Sequence, residues 1–170
     1  RRPSWGQGLP QHELLSLQPL ADAQRELLTR ALLRHLPVVP PALARLIDGQ
    51  AEGNPFYAEE IVRMLIDDGA IVVAEAGWRV DEQRLGAARV PPTLTGVLQA
   101  RIDALSEGER RALQSAAIVG PVFWDDALLQ LRADAGRELP ALVKRGMVQR
   151  RPTTAFEGSV EESFHHHLLH

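Results

Sequence analysis

The first chemical question is whether this chain can hold a nucleotide phosphate. Such a site needs a glycine-rich loop that ends in Lys and Ser or Thr, because its N–H groups and lysine contact the phosphates. The pattern G-x-x-x-x-G-K-[ST] does not occur in the 170 residues. The run MLIDD, Met64 to Asp68, resembles an apolar strand with magnesium-binding acids. Its apolar spacing from Phe56 onward is helical, so we predict a helix that ends at Gly69, with solvated acids.

Histidines and arginines are the other residues that could do chemistry. Four of the six histidines lie within residues 165–170, and His166 and His170 would share one face of a helix. No third ligand follows at a fixed spacing, so we predict no specific metal site. The carboxylates are spread over helix faces, and no Ser–His–Asp arrangement stands out, which gives a hydrolase no support.

A basic stretch near the C-terminus is the feature that favours DNA binding. This stretch contains six basic residues and only two acidic ones, Asp134 and Glu138, so it has a local excess of positive charge. Charges that flank a short helix usually form a solvated face, so direct DNA binding is the alternative and not the leading hypothesis. The basic residues are Arg132, Arg137, Lys144, Arg145, Arg150 and Arg151.

The elements that must position these residues are predicted to be mainly α-helices. Hydrophobic residues make up 45% of the chain and aromatic residues only 5%, a composition that suits amphipathic helices better than a β-sandwich. The absence of cysteine excludes disulfides and fits a cytoplasmic protein. No apolar run approaches the roughly 18 residues that span a bilayer, and the formal net charge of −3 gives no general attraction to nucleic acid.

The chain is predicted to have three segments. Residues 1–19 form an entry segment with a short strand or extended stretch at 12–17, and residues 20–89 form a helical unit with a small β-hairpin. The polar run DEQRLGAARVPP lacks helical periodicity and marks the boundary near residue 90. Residues 90–170 contain helices followed by a two-stranded ribbon, the pattern of a winged helix.

A corner between two helices is predicted at residues 53–55, which we call the corner. Gly53 suits a left-handed helix end, Asn54 an N-cap and Pro55 the first helical position. Glycine also allows close approach, proline offers a flat apolar face, and a helix N-terminus is electropositive, as a nucleotide contact requires. Turn chemistry alone explains the same residues, so both interpretations stay open.

The run IDGQAEGNPFYAEEIVRMLIDDGAI, residues 47–71, resembles the arm of the signal-transduction ATPases with numerous domains, the STAND class of the AAA+ superfamily. It is most similar to the module of bacterial LuxR-type regulators and ATPase-linked class III adenylate cyclases. The run VPPTLTGVLQARIDALSEGERRALQSAAIVG, residues 90–120, and the stretch from Phe164 to Leu168 follow in that family's order. The resemblance covers essentially the whole chain and is diffuse between residues 121 and 163.

This resemblance implies a helical lid subdomain followed by a winged-helix subdomain. It implies that ATP or ADP, with magnesium, is bound by an N-terminal ATPase core outside these residues, of which residues 1–19 contain the end. Gly53, Asn54 and Pro55 are expected to lie on the adenine side of the nucleotide. Arg2 is expected to be the sensor arginine that faces the γ-phosphate.

His166 is the residue that the resemblance places at the β-phosphate of ADP, with His165 and His167 as alternatives, and a histidine that only packs between domains is the other interpretation. The expected function is therefore a nucleotide-sensing regulatory arm of a larger cytoplasmic ATPase, which in isolation is not an enzyme and binds no cofactor. A C-terminal sensor or effector domain is the other expected partner. The alternatives are a DNA-binding winged-helix module and a helical protein-interaction scaffold.

Overall fold

The structure is a computed structural model that describes residues 15–75 and 77–170. Helices dominate this part of the chain, as the composition predicts. The helices are α1 (Asp22–Leu32), α2 (Pro41–Ala51), α3 (Pro55–Asp67), α4 (Glu82–Ala87), α5 (Leu94–Asp103), α6 (Glu107–Val119), α7 (Asp125–Leu131) and α8 (Ala135–Lys144). The strands are β1 (Ile71–Ala74), β2 (Gly77–Val80), β3 (Val122–Trp124), β4 (Val148–Arg150) and β5 (Glu161–Phe164), and a 3₁₀ helix spans His167–Leu169.

The first half of the molecule packs α1, α2 and α3 around an apolar core. Pro41 occupies the first turn of α2, where its missing N–H costs nothing, and Gly69 ends α3 in the left-handed conformation at φ 73°. The predicted β-hairpin is confirmed, since β1 pairs antiparallel with β2. Fully buried residues at the centre of this core include Leu33, Leu43, Ile47, Ile61 and Leu65.

The polar segment after the hairpin contains a helix that the residue pattern does not predict. Asp81 caps α4 by accepting a hydrogen bond from Arg84 N at 3.0 Å. The expectation that residues 81–92 lack helical structure is therefore wrong for the first part of that segment. The helix has no buried residue, so it leaves no apolar stripe in the sequence.

The second half combines α5 to α8 with a three-stranded antiparallel sheet in the order β3-β5-β4. The two predicted strands of the ribbon are confirmed as β4 and β5. β3 is an additional strand that pairs with β5 from Val122↔Ser163 to Trp124↔Glu161. Three residues are too few to show strand periodicity in a sequence, which is why β3 is not predicted.

Helix α5 belongs to both halves. Val97 is buried in the first apolar core, and the next residue, Leu98, is buried in the second. The second core also contains Phe123, Leu142 and Phe164, which join the sheet to the helices. The two cores are therefore continuous through one helix.

The N-terminal predictions fall mostly outside the described residues. The strand or extended stretch expected at 12–17 is described only from Leu15 to Leu17, which is exposed and has no regular secondary structure. Among the described residues, no helix combines the length and the apolar character needed to cross a bilayer.

Candidate nucleotide-facing site and a buried ion network

The corner has the local geometry that its residue types predict. Glu52 and Gly53 both adopt left-handed backbone conformations, with φ of 48° and 80°. Asn54 caps α3 by accepting a hydrogen bond from Tyr57 N at 3.2 Å, and Pro55 occupies the first helical position. The chain thus reverses direction sharply between α2 and α3.

Gly53 packs against this chain's own backbone. A Cβ at this position would lie 2.7 Å from the carbonyl oxygen of Leu20, and Leu20 N donates a hydrogen bond to the Gly53 carbonyl at 2.9 Å. The need for glycine is therefore explained within the described residues, by the left-handed φ and by this close approach. Asn54 and Pro55, in contrast, are exposed, so the outer side of the corner is open.

A depression of about 360 Å³ opens beside the corner. Its lining includes Asn54, Tyr57 and Pro92, together with the carboxylate-bearing Glu52. The Tyr57 hydroxyl donates a hydrogen bond to the Pro91 carbonyl at 2.7 Å, which fixes the ring. Burial raises the pKa of the Tyr57 hydroxyl, and the charge of Glu52 raises it further. The mixture of an aromatic wall and a negative charge suits a base better than a phosphate.

His166 lies against the residue that follows the corner. Its ring stacks on Phe56 with centroids 3.8 Å apart and planes 17° from parallel. The Nδ1 atom accepts a hydrogen bond from Leu168 N at 3.2 Å, so in the neutral ring the proton is on Nε2. Burial lowers the pKa of His166, and the charges of His167 and His165 lower it further. The imidazole is therefore neutral near pH 7, and its Nε2–H makes no hydrogen bond within residues 15–75 and 77–170.

The three neighbouring histidines have different environments. His165 Nε2 lies 3.5 Å from a carboxylate oxygen of Glu59, whereas His167 is exposed and its ring lies 4.1 Å from that of His166. Although burial raises the pKa of Glu59, the hydrogen bond from Arg63 and the nearby positive charges hold it below its usual value. Only His166 is packed beside the corner, through Phe56.

Five charged residues form a buried ion network that the sequence analysis does not identify. Arg101 of α5 contacts both Glu60 and Asp67 of α3, with 3.1 Å between Arg101 Nε and an Asp67 oxygen, and it also donates to the Arg145 carbonyl. Arg145 in turn donates to Asp67 and to Glu109, each at 3.1 Å. The side chains of Arg101 and Glu60 have no exposed surface. The network joins α3 to α5, α6 and the end of α8.

Asp67 shows that the acids at the end of α3 have more than one role. Its side chain is 10% exposed and bonds two arginines, so the expectation that both acids of MLIDD are solvated is wrong for this residue. The helix end itself is confirmed, since α3 stops at Asp67 and Asp68 forms its C-cap. These acids belong to a helix and not to a strand with a magnesium site.

Two carboxylates of the network, Glu60 and Glu109, have opposite pKa shifts. Burial raises the pKa of Glu60, and the charge of Arg101 only partly opposes it. Burial also acts on Glu109, but hydrogen bonds from Ser106 and the charge of Arg145 hold its pKa below the usual value. Glu109 completes the predicted capping box, because Ser106 N donates to it at 2.7 Å.

The basic stretch is partly neutralised by ion pairs. Arg132 bonds Asp134 at 2.5 Å, Arg145 lies in the ion network, and Arg151 pairs with Glu161 at 2.9 Å. Pairing within the protein reduces the positive potential that attracts a phosphate backbone. Half of the predicted basic stretch is thus committed to intramolecular contacts.

The positions of Glu60 and Arg101 within their helices could have predicted that both are buried. Glu60 lies among the apolar positions of α3, next to Ile61 and three residues after Tyr57. Arg101 likewise occupies the apolar stripe of α5, four residues after Val97. A charged residue inside an apolar stripe predicts a buried ion with a partner, although the stripe does not reveal which partner.

The structure brings His166 and the corner together through Phe56, and Arg2 lies outside the described residues. No group of three or more metal-binding side chains occurs within residues 15–75 and 77–170. Comparison of the chain with models of protein families, with curated proteins and with solved structures finds no match.

Proposed function

We propose that this chain is the nucleotide-sensing arm of a larger signal-transduction ATPase and contacts an ADP or ATP molecule that another part of the parent protein binds. The stack of His166 on Phe56, directly after the corner, carries the proposal. It brings His166 against the residue that follows the corner, although the two are more than 100 residues apart in sequence, and this supports a shared role. The chain by itself performs no catalysis in this proposal.

Two groups would contact the nucleotide in this arrangement. The exposed side of Asn54 and Pro55, with the depression beside them, would take the base. The Nε2–H of His166 would donate to a phosphate oxygen, because Nδ1 is already an acceptor for Leu168 N. A neutral imidazole can donate this bond without adding charge, so its contribution depends on position more than on electrostatic attraction.

The topology of the second half supports its assignment as a winged-helix subdomain. Helix α6, strand β3, helices α7 and α8 and the ribbon β4–β5 follow in that order, and β5 lies between β3 and β4. Helix α8 would be the recognition helix in a DNA-binding member of that class. Because half of the basic stretch is paired internally, nucleotide sensing is better supported than DNA binding.

Nucleotide exchange would act as a switch between a closed and an open parent protein. To move such an equilibrium from almost fully closed to almost fully open takes about 5 kcal/mol of differential affinity. One hydrogen bond to a charged group supplies about 1.5–3 kcal/mol. The base contact at the corner and the phosphate contact at His166 would therefore have to change together.

The test is ADP binding by the full-length gene product, followed with a fluorescent ADP analogue. His166→Phe keeps an aromatic ring on Phe56 and removes the N–H donor, so affinity should fall by about tenfold. His170→Ala, an exposed histidine of the same segment, should leave affinity unchanged. Equal affinities for wild type and His166→Phe would contradict the proposal.

The 170-residue chain provides a second arm of the test. Calorimetry with Mg·ADP should show no saturable heat at micromolar concentration, because the proposal assigns the phosphate loop to another part of the parent. Tight binding to this chain alone would show that the nucleotide site does not depend on that loop, and the proposal would fail.

A further inference from the structure

Glu162 is a buried carboxylate on the strand that precedes the histidine segment, and the proposed nucleotide contacts do not use it. It lies on β5, the central strand of the sheet, opposite Phe123 of β3 and Arg150 of β4. The residue is only 2% exposed. Since alternate residues of a strand point to the same face, Glu162 shares its face with Phe164, which is part of the second core.

One oxygen of this carboxylate, Oε2, is buried and has no hydrogen-bond partner among the described residues. In comparison, both carboxylate oxygens of the adjacent Glu161 have partners. One accepts a hydrogen bond from Trp124 Nε1 at 3.2 Å, and the other pairs with Arg151. Burial raises the pKa of Glu162, the charge of Arg150 opposes this shift, and the charge of Asp125 adds to it. A buried carboxylate oxygen without a donor is costly unless something else supplies one.

Glu162 lines an open groove of about 560 Å³ between the sheet and helices α7 and α8, which we call the carboxylate groove. Its polar lining consists of Glu162, Asp125 and Arg150, and Leu129, Gly136, Leu139, Pro140 and Val143 form the apolar walls. Leu129 and Val143 are 38% and 37% exposed, which is high for aliphatic side chains beside a core. The groove is thus apolar along its sides, with Glu162 and Arg150 at the sheet and Asp125 at the start of α7.

The chemistry of this groove selects among ligand classes. Two carboxylates repel an anion, and an Asp125 oxygen is already held by Val160 N at 2.8 Å. A metal ion would need a third ligand, and no group of three is present in the part of the chain described. An ammonium or guanidinium group satisfies a lone carboxylate oxygen with its N–H donors, and an alkyl stem would cover the apolar walls.

We propose that the carboxylate groove binds an organic cation with an alkyl stem, an alkylammonium or alkylguanidinium group that pairs with the Glu162 carboxylate once a side-chain rotation turns Oε2 toward the groove. Arg150 lies at the groove and forms no ion pair with Glu162 in residues 15–75 and 77–170, so it opposes the ligand's charge without occupying its place. The proposal does not rest on the proposed nucleotide contacts.

The experiment titrates the 170-residue chain with n-butylguanidinium and follows backbone amide shifts by NMR. Saturable shifts should be confined to β5, α7 and α8, with the millimolar affinity expected of a small ligand. Glu162→Gln should weaken binding by about tenfold or more, because a charge-assisted hydrogen bond is lost. Glu157→Gln, an exposed glutamate of the preceding loop, should leave it unchanged. No saturable shift, or equal affinity in Glu162→Gln, would overturn the proposal.

Three further measurements test the assignment of the ligand. 1-Butanol tests the apolar walls alone, and binding as tight as that of butylguanidinium would overturn the charge-based proposal. Arg150→Gln removes a competing positive charge and should strengthen binding, whereas loss of binding in this variant would also overturn it. A blocked arginine peptide that binds more tightly than butylguanidinium would assign the cation to a protein side chain, and weaker binding would assign it to a free small molecule.

Discussion

The two ends of helix α3 contact the second half of the molecule in opposite ways. From its middle to its C-terminal end, Glu60 and Asp67 join the ion network with Arg101, where the charges are buried and paired, although Glu60 Oε1 accepts no hydrogen bond within the described residues. At its N-terminal end, Phe56 stacks on His166, whose Nε2 makes no hydrogen bond within the same residues. The first contact pairs charges inside the protein, whereas the second leaves a donor unused there. The difference separates a contact that maintains the fold from one that can still bind another molecule.

The largest effect is expected from Arg101→Met, which removes the centre of the ion network. Glu60 and Asp67 would remain buried without their main partner, so the free energy of unfolding should fall by about 3–5 kcal/mol. Urea denaturation measures the change. Arg111→Met removes an exposed pair with Glu107 and should cost less than about 1 kcal/mol. Equal losses in the two variants would mean that the network is no more important than a surface pair.

The second effect is a pH dependence that arises at Glu109. Its pKa is lower in the folded protein, so its contribution is present above the ordinary value of 4.5 and is lost as pH falls through the folded value. Glu109→Gln should lower stability at pH 7 by about 1–2 kcal/mol through weakened hydrogen bonds. It should also flatten the stability profile below pH 4.5, measured by urea denaturation at several pH values. A profile as steep as that of wild type would assign the acid sensitivity to other carboxylates.

Phe56→Ala tests the contact at the N-terminal end of α3. It should lower the free energy of unfolding by less than Arg101→Met does. The side chain is half-buried, and an aromatic pair contributes about 0.5–1.5 kcal/mol beyond its buried area. Thermal unfolding measures this loss. If the comparison is correct, this variant weakens ADP binding by the parent protein more than Arg101→Met does in protein that remains folded. The reverse order would break the comparison.

The smallest effect is expected from His166→Phe in the 170-residue chain. The folded pKa of His166 is lowered, so its contribution to stability is present above 6.5 and is lost as pH falls through the folded value. The substitution keeps the ring contact, and stability at pH 7 should change by less than about 0.5 kcal/mol. An NMR titration of the imidazole protons in wild type checks the sign of the shift. A pKa above 6.5 would contradict the environment described here.

Local rules predict the starts of α3 and α6 well because each of these helices has a strong N-cap. Asn54 with Pro55, and Ser106 with Glu109, start their helices where the residue types predict. Helix α4 is not predicted because it has no buried residue, and β3 is not predicted because three residues are too few to show a periodic pattern. Caps and turns depend on residues that are close in sequence, so they can be predicted without knowledge of the tertiary fold.

The contacts of the candidate site required the three-dimensional arrangement. Phe56 and His166 are distant in sequence, and nothing in either local pattern pairs them. The environment of Glu162 also could not be predicted. The alternation of residues along β5 indicates which face Glu162 lies on, but not that one of its oxygens lacks a hydrogen-bond donor. The roles of Gly53, Asn54, Pro55 and His166 at a nucleotide stay predictions.

Helix α5 has a further consequence for any movement of this part of the chain. Because Val97 and Leu98 are consecutive residues in different cores, a turn of α5 by one residue position would remove each of them from the core that it fills. Under the proposed function, a rearrangement of the parent protein should therefore move α5 and the elements packed on both of its sides together as one rigid unit. Cutting the chain near residue 90 would leave the N-terminal piece without Val97 to close its apolar face.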